Sequence, residues 1–342
     1  MADQGPRKSK FAPRVLSGVQ PSGILHLGVY FGATKQHIDL QDEYPGECFY
    51  FIADYHALTT IHDRELLRTY ANNVALDYLA LGLDPKKATF YRQSDVPQVC
   101  ELTWMFSCVA GMGLLERAHA YKEKLQQGLR PSVGLFLYPV LMAADILAVR
   151  STTVPVGEDQ GQHLEMTRDI AKSFNAAFGR KVFPLPRARY DIPTVVPGID
   201  GRKMSKSYDN AIPIFAEDDE LKSKVARIKT SPLPLGSPID PESDIVFAIY
   251  SLVAKAEEQA DMRARYEAGS VGFRQAKAEL TEKLKAYFGP FRARRRELEQ
   301  DPDFVEDVLS QGARRAGAEI TETLELVRDS VGIGRYKNLA AV

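Results

Sequence analysis

The stretch from Arg14 to Gly28 reads RVLSGVQPSGILHLG and decides the fold. Its apolar start, Arg14 to Val19, predicts a β-strand, and three glycines follow on the way to a helical pattern. Because glycine has no Cβ, such a turn lets the backbone approach a ligand closely, and the next helix offers its N-terminus to an anion. His26 can hydrogen-bond a phosphate oxygen there. A tight turn with a surface histidine fits the same residues, so this stretch alone leaves both interpretations open.

Strands and helices alternate after this turn. Further strands are predicted at Cys48 to Ala53, Ala88 to Tyr91 and Thr152 to Val156. Apolar residues recur at helical spacing from Leu67 to Leu81, with Asp63 as a cap, and from Leu164 to Phe178, with Gly179 as a stop. Alternation of this kind predicts an α/β fold, a Rossmann-like parallel sheet with helices on both faces.

The pattern changes after about residue 210. Residues 231–244 (SPLPLGSPIDPESD) are rich in proline and glycine and predict an irregular segment. Only helical periods follow, in three groups that begin at Ile245, Leu280 and Ile320. We therefore expect a catalytic domain over 1–212 and a smaller all-helical domain over 213–342.

Composition narrows the functional classes. The 342 residues are 44% hydrophobic and 26% charged with a net charge of −1, which is typical of a globular protein. Nucleic-acid-binding domains are usually basic, so any RNA contact is expected from local patches. The three cysteines have no metal-site spacing, and the polar start of the chain does not resemble a signal peptide. The apolar stretch from Leu135 to Val149 is interrupted by Asp145 and too short to span a bilayer. A cytoplasmic protein without a membrane segment is expected.

A second segment, Gly201 to Ser207, reads GRKMSKS. Two lysines and two serines on a loop bounded by glycine and proline suit a triphosphate whose negative charge grows on a leaving pyrophosphate. A solvated basic loop is the alternative for any pair of lysines. The full pentamer Lys203 to Ser207, far downstream of a His-x-Gly turn, favours the functional interpretation.

Together, HLG at His26 to Gly28 and KMSKS at Lys203 to Ser207 resemble the two signatures of class I aminoacyl-tRNA synthetases. The chain is similar to the bacterial tryptophanyl-tRNA synthetases in particular, over nearly its whole length. Three further stretches carry this likeness, namely PSGILHLG (21–28), YPVLMAADIL (138–147) and VPVGEDQGQHLEMTRDIA (154–171). The resemblance implies activation of L-tryptophan by ATP, with Mg²⁺ held mainly by phosphates and no dedicated metal site. It also implies tRNA(Trp) as partner and a homodimer.

The resemblance assigns candidate site residues. Those with catalytic roles are His26, Lys124, Lys203 and Lys206. Those that bind the nucleotide are Gln20, Pro21, Ser22, Gly28, Val29, Gly157, Glu158, Asp159, Val195, Lys203, Met204, Ser205, Lys206 and Ser207. Those that bind tryptophan are Gly18, His56, Tyr138, Met142, Asp145, Val154, Val156 and Gln160.

Asp145 is the candidate that reads the amino acid. It sits in an apolar helical stretch, where a buried carboxylate is unfavourable unless a donor meets it. An indole N–H only donates, so an acceptor-only carboxylate is its complement. Met142, Val154 and Val156 supply an apolar slot. An internal salt bridge or a helix cap is the alternative, and the resemblance favours the tryptophan reader.

Residues 157–160 (GEDQ) follow a predicted strand and open a helix. Ligands of open α/β sheets bind beyond the carboxyl ends of strands, so Asp159 can accept from ribose hydroxyls and Gln160 can reach the amino acid. Asp159 as a plain N-cap is the alternative, and both roles are compatible. Two residues depart from the family pattern. Val29 stands where asparagine is usual and cannot hydrogen-bond a nucleotide, and Leu16 stands where a phenylalanine often lies beside the indole.

Contacts with tRNA are expected from basic clusters in the helical part. These clusters comprise Arg292, Arg294, Arg295, Arg296, Arg314 and Arg315. They can track phosphates, although a solvated helix face has the same pattern. Three other functions stay open at this stage, namely a tyrosyl-tRNA synthetase, a small-molecule nucleotidyltransferase and a synthetase-like binding protein without turnover.

Overall fold

The computed structural model describes residues 11–126, 128, 130–157, 161–189, 195–234 and 236–334. Within these ranges five parallel strands form one sheet in the order β3-β2-β1-β4-β5. The strands are β1 (Val15–Val19), β2 (Cys48–Ile52), β3 (Ala88–Arg92), β4 (Thr153–Pro155) and β5 (Arg187–Arg189). The first four confirm the sequence prediction to within one residue at each bound. The sequence does not predict β5, because its three residues include two arginines and show no apolar run.

The position of β1 locates the functional crevice. It lies between β2 and β4 and pairs with β2 in the register Val15↔Cys48 to Val19↔Ile52. The chain runs from β1 outward to β2 and β3, then returns to the other side of β1 for β4. Such a reversal in strand order leaves a crevice beyond the carboxyl ends of the central strands. All five residues of β2 are buried, as expected for a strand covered on both faces.

Helices cover the sheet in the part of the chain that precedes β5. They are α1 (Leu27–Val29), a π-helix (Tyr30–Thr34), α2 (Lys35–Glu43), α3 (Asp54–Ala57), α4 (Arg64–Ala80), a 3₁₀-helix (Gln93–Asp95), α5 (Gln98–Ser107), α6 (Met112–Leu115), α7 (His119–Gln126), α8 (Val133–Ala148) and α9 (Gly161–Ala177). Two terminal signals are confirmed. The Asp63 carboxylate accepts from the Leu66 amide at 2.9 Å and caps α4. Gly179, with a φ of +64°, follows the end of α9.

The later part of the chain is helical, as the sequence predicts. Its helices are a 3₁₀-helix (Lys206–Tyr208), α10 (Asp218–Ala226), α11 (Ile245–Val253), α12 (Ala256–Glu267), α13 (Phe273–Glu299) and α14 (Pro302–Val331). The described residues of 231–244 contain no helix or strand. Among the helices that the structure describes, none has the length and apolar character needed to cross a membrane.

The C-terminal helices share hydrophobic cores with the sheet. From α14, Ala316, Ile320, Leu324 and Val327 join a cluster with Leu16 of β1. From α13, Leu284 and Phe288 join another cluster with Leu27 and Tyr30. Helices α13 and α14 are therefore part of the packing that supports the first turn and the sheet. The expected domain division at residue 212 stays a prediction.

Two of the arginines considered for tRNA binding instead join the helical part to the rest of the protein. Arg292 donates through Nε to the Ile214 carbonyl at 3.1 Å, and its guanidinium lies 3.2 Å from Asp218. Arg295 donates through Nε to Asp77 of α4 at 2.8 Å. These two guanidinium groups hold helices together. Arg314 and Arg315 are exposed, so they are accessible to an RNA phosphate.

We expect Gly312→Ala to destabilise the protein. Gly312 of α14 packs so closely on β3 that an added Cβ would lie 1.8 Å from the Phe90 carbonyl oxygen. The helix must move away from the strand, at a cost of about 1–3 kcal/mol or more. Chemical denaturation measures this as a lower free energy of unfolding.

Gly317→Ala, on the same helix, is the matched control. An added Cβ there would meet only side-chain atoms at 3.9 and 4.0 Å. Alanine is the better helix former by about 0.5–1 kcal/mol, so this variant is expected to be neutral or slightly more stable. Equal effects of the two substitutions would contradict the close packing of α14 on β3.

Candidate active site

A cavity of about 370 Å³ opens beyond the carboxyl ends of β1 and β4. Many of the residues proposed from the sequence line it. They are Gly18, Gln20, His56, Tyr138, Met142, Asp145, Val154, Val156 and Gly157. Leu16, noted as a departure from the family pattern, is also in the wall. These residues come from β1, β4, α3 and α8, so the fold gathers them from four separate stretches of sequence.

Asp145 lies on α8 with its carboxylate buried, 3% exposed, at the wall of this cavity. His56 Nε2 lies 2.9 Å from Oδ2, and since an ionised carboxylate only accepts, the imidazole donates. Gln93 Nε2 donates to Oδ1 at 2.8 Å and to Oδ2 at 2.9 Å. Burial raises the pKa of Asp145, and the bonds from His56 and Gln93 oppose that rise. The Asp145 carboxylate is therefore hydrogen-bonded to His56 and Gln93 and at the same time forms part of the cavity wall.

Sequence reasoning missed Gln93. It lies in the 3₁₀-helix directly after β3 and is fully buried. A signal for it was present, since polar residues that follow a parallel strand collect at the ligand-binding edge of the sheet. Its partner, Asp145, is 52 residues away in the chain. No pattern in the sequence joins the two.

Tyr138 is held by a histidine that the sequence analysis also missed. Its hydroxyl forms a short hydrogen bond with Nε2 of His163, which is buried on α9. Its ring meets the His56 ring edge to face, with centroids 6.5 Å apart. Burial raises the pKa of Tyr138 to about 12, so the hydroxyl keeps its proton at neutral pH. The phenol is thereby fixed as a wall of the cavity next to Asp145.

The first turn contacts the KMSKS loop directly. The Gly28 amide donates to the Met204 sulfur at 3.3 Å. An added Cβ at Gly28 would lie 3.1 Å from the His26 ring and from Met204 Cβ, so the contact leaves little room for a side chain. The backbone amide of Leu27 donates to the Ile212 carbonyl at 3.0 Å. Two segments that are distant in the sequence form one surface.

His26 is buried at the start of this first helix. Burial lowers its pKa to about 4, and the charge of Lys206 adds to the decrease. The ring is therefore neutral at physiological pH. Its Nδ1 has no hydrogen-bond partner among the described residues. A neutral imidazole at a helix N-terminus can hydrogen-bond a ligand without adding a charge.

Lys206 is bound to the first turn. Its Nζ donates to the Ser22 carbonyl at 2.7 Å and lies 3.3 Å from the Ser22 hydroxyl. Burial lowers the pKa of Lys206, and Asp77 partly counteracts the decrease. Lys203, Ser205 and Ser207 lie on the same loop, outside the cavity that contains Asp145. The ammonium of Lys206 is thus near His26 and next to the crevice.

Asn210 sets the shape of the KMSKS loop and was also missed from the sequence. It is 1% exposed. Its Oδ1 accepts from the Ser205 amide at 2.7 Å, while Nδ2 donates to Asp200 at 2.7 Å and to the Lys203 carbonyl at 3.2 Å. An added Cβ at Gly198 would lie 2.3 Å from the Asn210 amide carbon, so glycine is needed there. One buried amide therefore fixes the loop from both sides.

The other proposed residues fall into two groups. Pro21 and Ser22 lie in the first turn, Val29 packs into the cluster beneath it, and Val195 is exposed before the KMSKS loop. Glu158, Asp159, Gln160 and the side chain of Lys124 lie outside the described residues. The predicted roles of all these residues stay predictions.

Known proteins share this sequence and fold. The family model for tRNA synthetases class I (W and Y) matches residues 8–289. A tryptophan--tRNA ligase of Rhodopirellula baltica is 50% identical over 94% of this chain and 99% of its own length. One from Fusobacterium nucleatum is 49% identical over 94% of this chain and 98% of its own length.

A solved structure gives the same result. The tryptophanyl-tRNA synthetase of Campylobacter jejuni, complexed with ADP and tryptophan, superposes with a TM-score of 0.89 at 44% identity. The alignment covers 94% of this chain and all of that one. With half of the aligned residues identical to those of a tryptophan--tRNA ligase over nearly the full length of both chains, this protein belongs to the class I tRNA synthetases (W and Y), among the tryptophan--tRNA ligases.

Proposed function

We propose that the enzyme forms tryptophanyl-adenylate and pyrophosphate from L-tryptophan and ATP, then transfers the tryptophanyl group to tRNA(Trp). The observation that carries the choice of amino acid is the buried carboxylate of Asp145 at the wall of the cavity. An indole N–H is a donor without acceptor capacity, so it complements an ionised carboxylate. Met142, Val154 and Val156 give the same cavity an apolar surface for the ring.

The first step joins the tryptophan carboxylate to the α-phosphorus of ATP. A carboxylate oxygen attacks in line, the bond from the α-phosphorus to the bridging oxygen breaks, and pyrophosphate leaves with its magnesium. No protein nucleophile is required, because positioning and electrostatics supply the catalysis. Lys203 and Lys206 stabilise the charge that grows on the leaving group, and the neutral His26 donates a hydrogen bond at the helix start.

Magnesium enters as a part of the substrate. The described residues contain no group of three or more His, Cys, Asp or Glu side chains suited to hold a metal ion. An ion bound mainly by triphosphate oxygens and water needs no such group, which fits the preference of Mg²⁺ for phosphate ligands. Lys206, near the first turn, and Lys203 would supply the protein's positive charge for the phosphate oxygens.

The second step transfers the acyl group to the terminal adenosine of tRNA and releases AMP. We assign anticodon reading to the helical part, 213–342. Its candidate phosphate contacts are the exposed Arg294, Arg296, Arg314 and Arg315, since Arg292 and Arg295 already bind protein groups. The free thiols of Cys48, Cys100 and Cys108 suit a reducing compartment, so we assign the reaction to the cytoplasm.

We also propose that two copies associate through the apolar surface formed by α5, α6 and α8. Trp104 of α5 is 71% exposed, and Met112 of α6 and Val133 of α8 are also largely exposed. A groove of about 220 Å³ is lined mainly by apolar atoms. Its lining includes Thr103 and Gly134, which are the chain neighbours of Trp104 and Val133. Large apolar side chains grouped on one surface favour a protein partner. Tyr138 lines both this groove and the proposed tryptophan cavity.

We expect Lys206→Ala to lower kcat for tryptophan-dependent pyrophosphate exchange by about 10²–10³-fold, as the loss of one transition-state contact does. The KM for tryptophan should change little, because Lys206 is bonded to Ser22 outside the tryptophan cavity. Lys222→Ala, an exposed lysine on α10, is the control and should keep the parent rate. An unchanged kcat for Lys206→Ala would refute the assignment.

We expect Asp145→Ala to lower the affinity for tryptophan rather than kcat. Loss of a charged hydrogen bond should raise the KM for tryptophan by about 10–100-fold and reduce discrimination against phenylalanine. The parent should favour tryptophan over tyrosine in the same exchange assay, and a preference for tyrosine would support the other branch of the family. Asp169→Ala, on the exposed surface of α9 and paired with Lys172, should have no effect.

We expect Trp104→Glu to convert a dimer into a monomer in sedimentation velocity at micromolar concentration. A charge at the centre of an apolar interface is desolvated without a partner, which opposes association. Leu326→Glu, at an exposed apolar position on α14, should leave the dimer intact. A parent that sediments as a monomer, or a Trp104→Glu dimer, would exclude this surface as the interface.

A further inference from the structure

The hydrogen bonds around Asp145 do not use its two carboxylate oxygens equally. Oδ2 receives two donors, His56 Nε2 and Gln93 Nε2, both at 2.9 Å. Among the described residues, Oδ1 receives Gln93 Nε2 alone, at 2.8 Å. Each carboxylate oxygen has about two lone-pair positions. The neighbours therefore fill Oδ2 and leave one acceptor position on Oδ1.

We infer that Gln93 is a positioning residue for amino-acid selection: with His56 it orients the Asp145 carboxylate so that Oδ1 accepts the indole N–H, and it keeps that carboxylate ionised. The inference rests on the proposed use of tryptophan. It adds a residue that does not line the cavity and acts only through Asp145.

The orientation of Gln93 has an energetic cost. Its side chain is fully buried, and its Oε1 has no hydrogen-bond partner within the described ranges. An unpaired buried carbonyl is unfavourable. Turning the amide over would place Oε1 against the Asp145 carboxylate, with two acceptors facing each other. The carboxylate of Asp145 thus fixes the Gln93 NH₂ group toward itself. The Oε1 atom then points away from Asp145 and stays unpaired among the described residues because the NH₂ group must donate to that carboxylate.

A second carboxylate, Asp54, fixes the positions of the two donors, His56 and Gln93, relative to each other. Asp54 opens α3, the helix that carries His56, and its Oδ1 accepts from the Ser94 amide at 3.0 Å. Its Oδ2 accepts a short hydrogen bond from the Ser94 hydroxyl. Ser94 follows Gln93 in the 3₁₀-helix. The donors from α3 and from the 3₁₀-helix are thereby fixed relative to each other before a ligand arrives.

The charged and titratable groups around Asp145 define its pH response. His56 on α3 and Gln93 favour the ionised carboxylate, whereas burial and the negative charge of Asp54 oppose it. Tyr91 of β3 and Cys100 of α5 also interact with the Asp145 charge, and burial raises the pKa of each. Both therefore keep their protons at neutral pH. Removal of the Gln93 donor shifts the balance toward a protonated Asp145.

The test compares Gln93→Leu and Gln93→Glu with the parent in tryptophan-dependent pyrophosphate exchange between about pH 6 and 9. Gln93→Leu should raise the KM for tryptophan by about 10–100-fold, with a smaller change in kcat. Its defect should shrink as the pH rises, because Asp145 then loses its proton. Gln93→Glu should behave in the opposite way. When protonated, its carboxyl still donates to Asp145, and at higher pH two carboxylates repel.

Gln98→Leu is the matched control, since Gln98 also has a buried Oε1 without a partner in the described part of the chain, but lies outside the cavity. It should keep the parent KM at every pH. A tryptophan analogue with sulfur in place of the indole N–H supplies a second measurement. The parent should prefer tryptophan strongly, and Gln93→Leu should lose about 10-fold or more of that preference.

Three results would overturn the inference. They are a parent-like KM in both Gln93 variants, an equal KM increase without opposite pH trends, and an unchanged preference for tryptophan over the sulfur analogue in Gln93→Leu. A parent without tryptophan-dependent exchange is a different result, since it overturns the proposed function on which the inference rests.

Discussion

The contact between the first glycine-rich turn and the KMSKS loop is the constraint on which the rest of the site depends. Gly28 and Met204 are 176 residues apart in the chain and meet at 3.3 Å, with little room for a side chain at the glycine. The adjoining bond from Lys206 to Ser22 places a cation beside the helix start. The lowered pKa of His26 follows from the same burial and the same cation. This surface exists only when both segments have folded.

The sequence predicted the central strands, the principal helices and most of the cavity wall. It succeeded because strand runs, helical spacing and caps are local signals, as at Asp63 and Gly179. Gln93, His163 and Asn210 were missed because each acts through a partner that local periodicity does not reveal. The partner of Gln93, Asp145, is 52 residues away. Side-chain pairing across elements depends on register and helix rotation, which a single sequence does not encode locally.

The arginine run shows the limit of charge patterns. Arg292 and Arg295 belong to one basic stretch, yet their guanidinium groups bind Ile214, Asp218 and Asp77 within the fold. In the sequence, an arginine that contacts RNA and an arginine that binds groups within the fold look the same. Only the position of the side chain relative to carbonyls and carboxylates separates them. The sequence likewise left an internal pair and a ligand contact as alternatives for Asp145. The structure shows the internal pair and places the carboxylate at the wall of the cavity.

The packing of α14 on β3 has a consequence for folding during synthesis on the ribosome. Helix α14 covers β3, an edge strand of the sheet, and supplies Ala316, Ile320, Leu324 and Val327 to the same core as Leu16. A polypeptide emerging from the ribosome therefore cannot close that core until α14 has left the exit tunnel. Until then the outer edge of β3 and its apolar neighbours stay open to other chains, a condition that invites aggregation and chaperone capture.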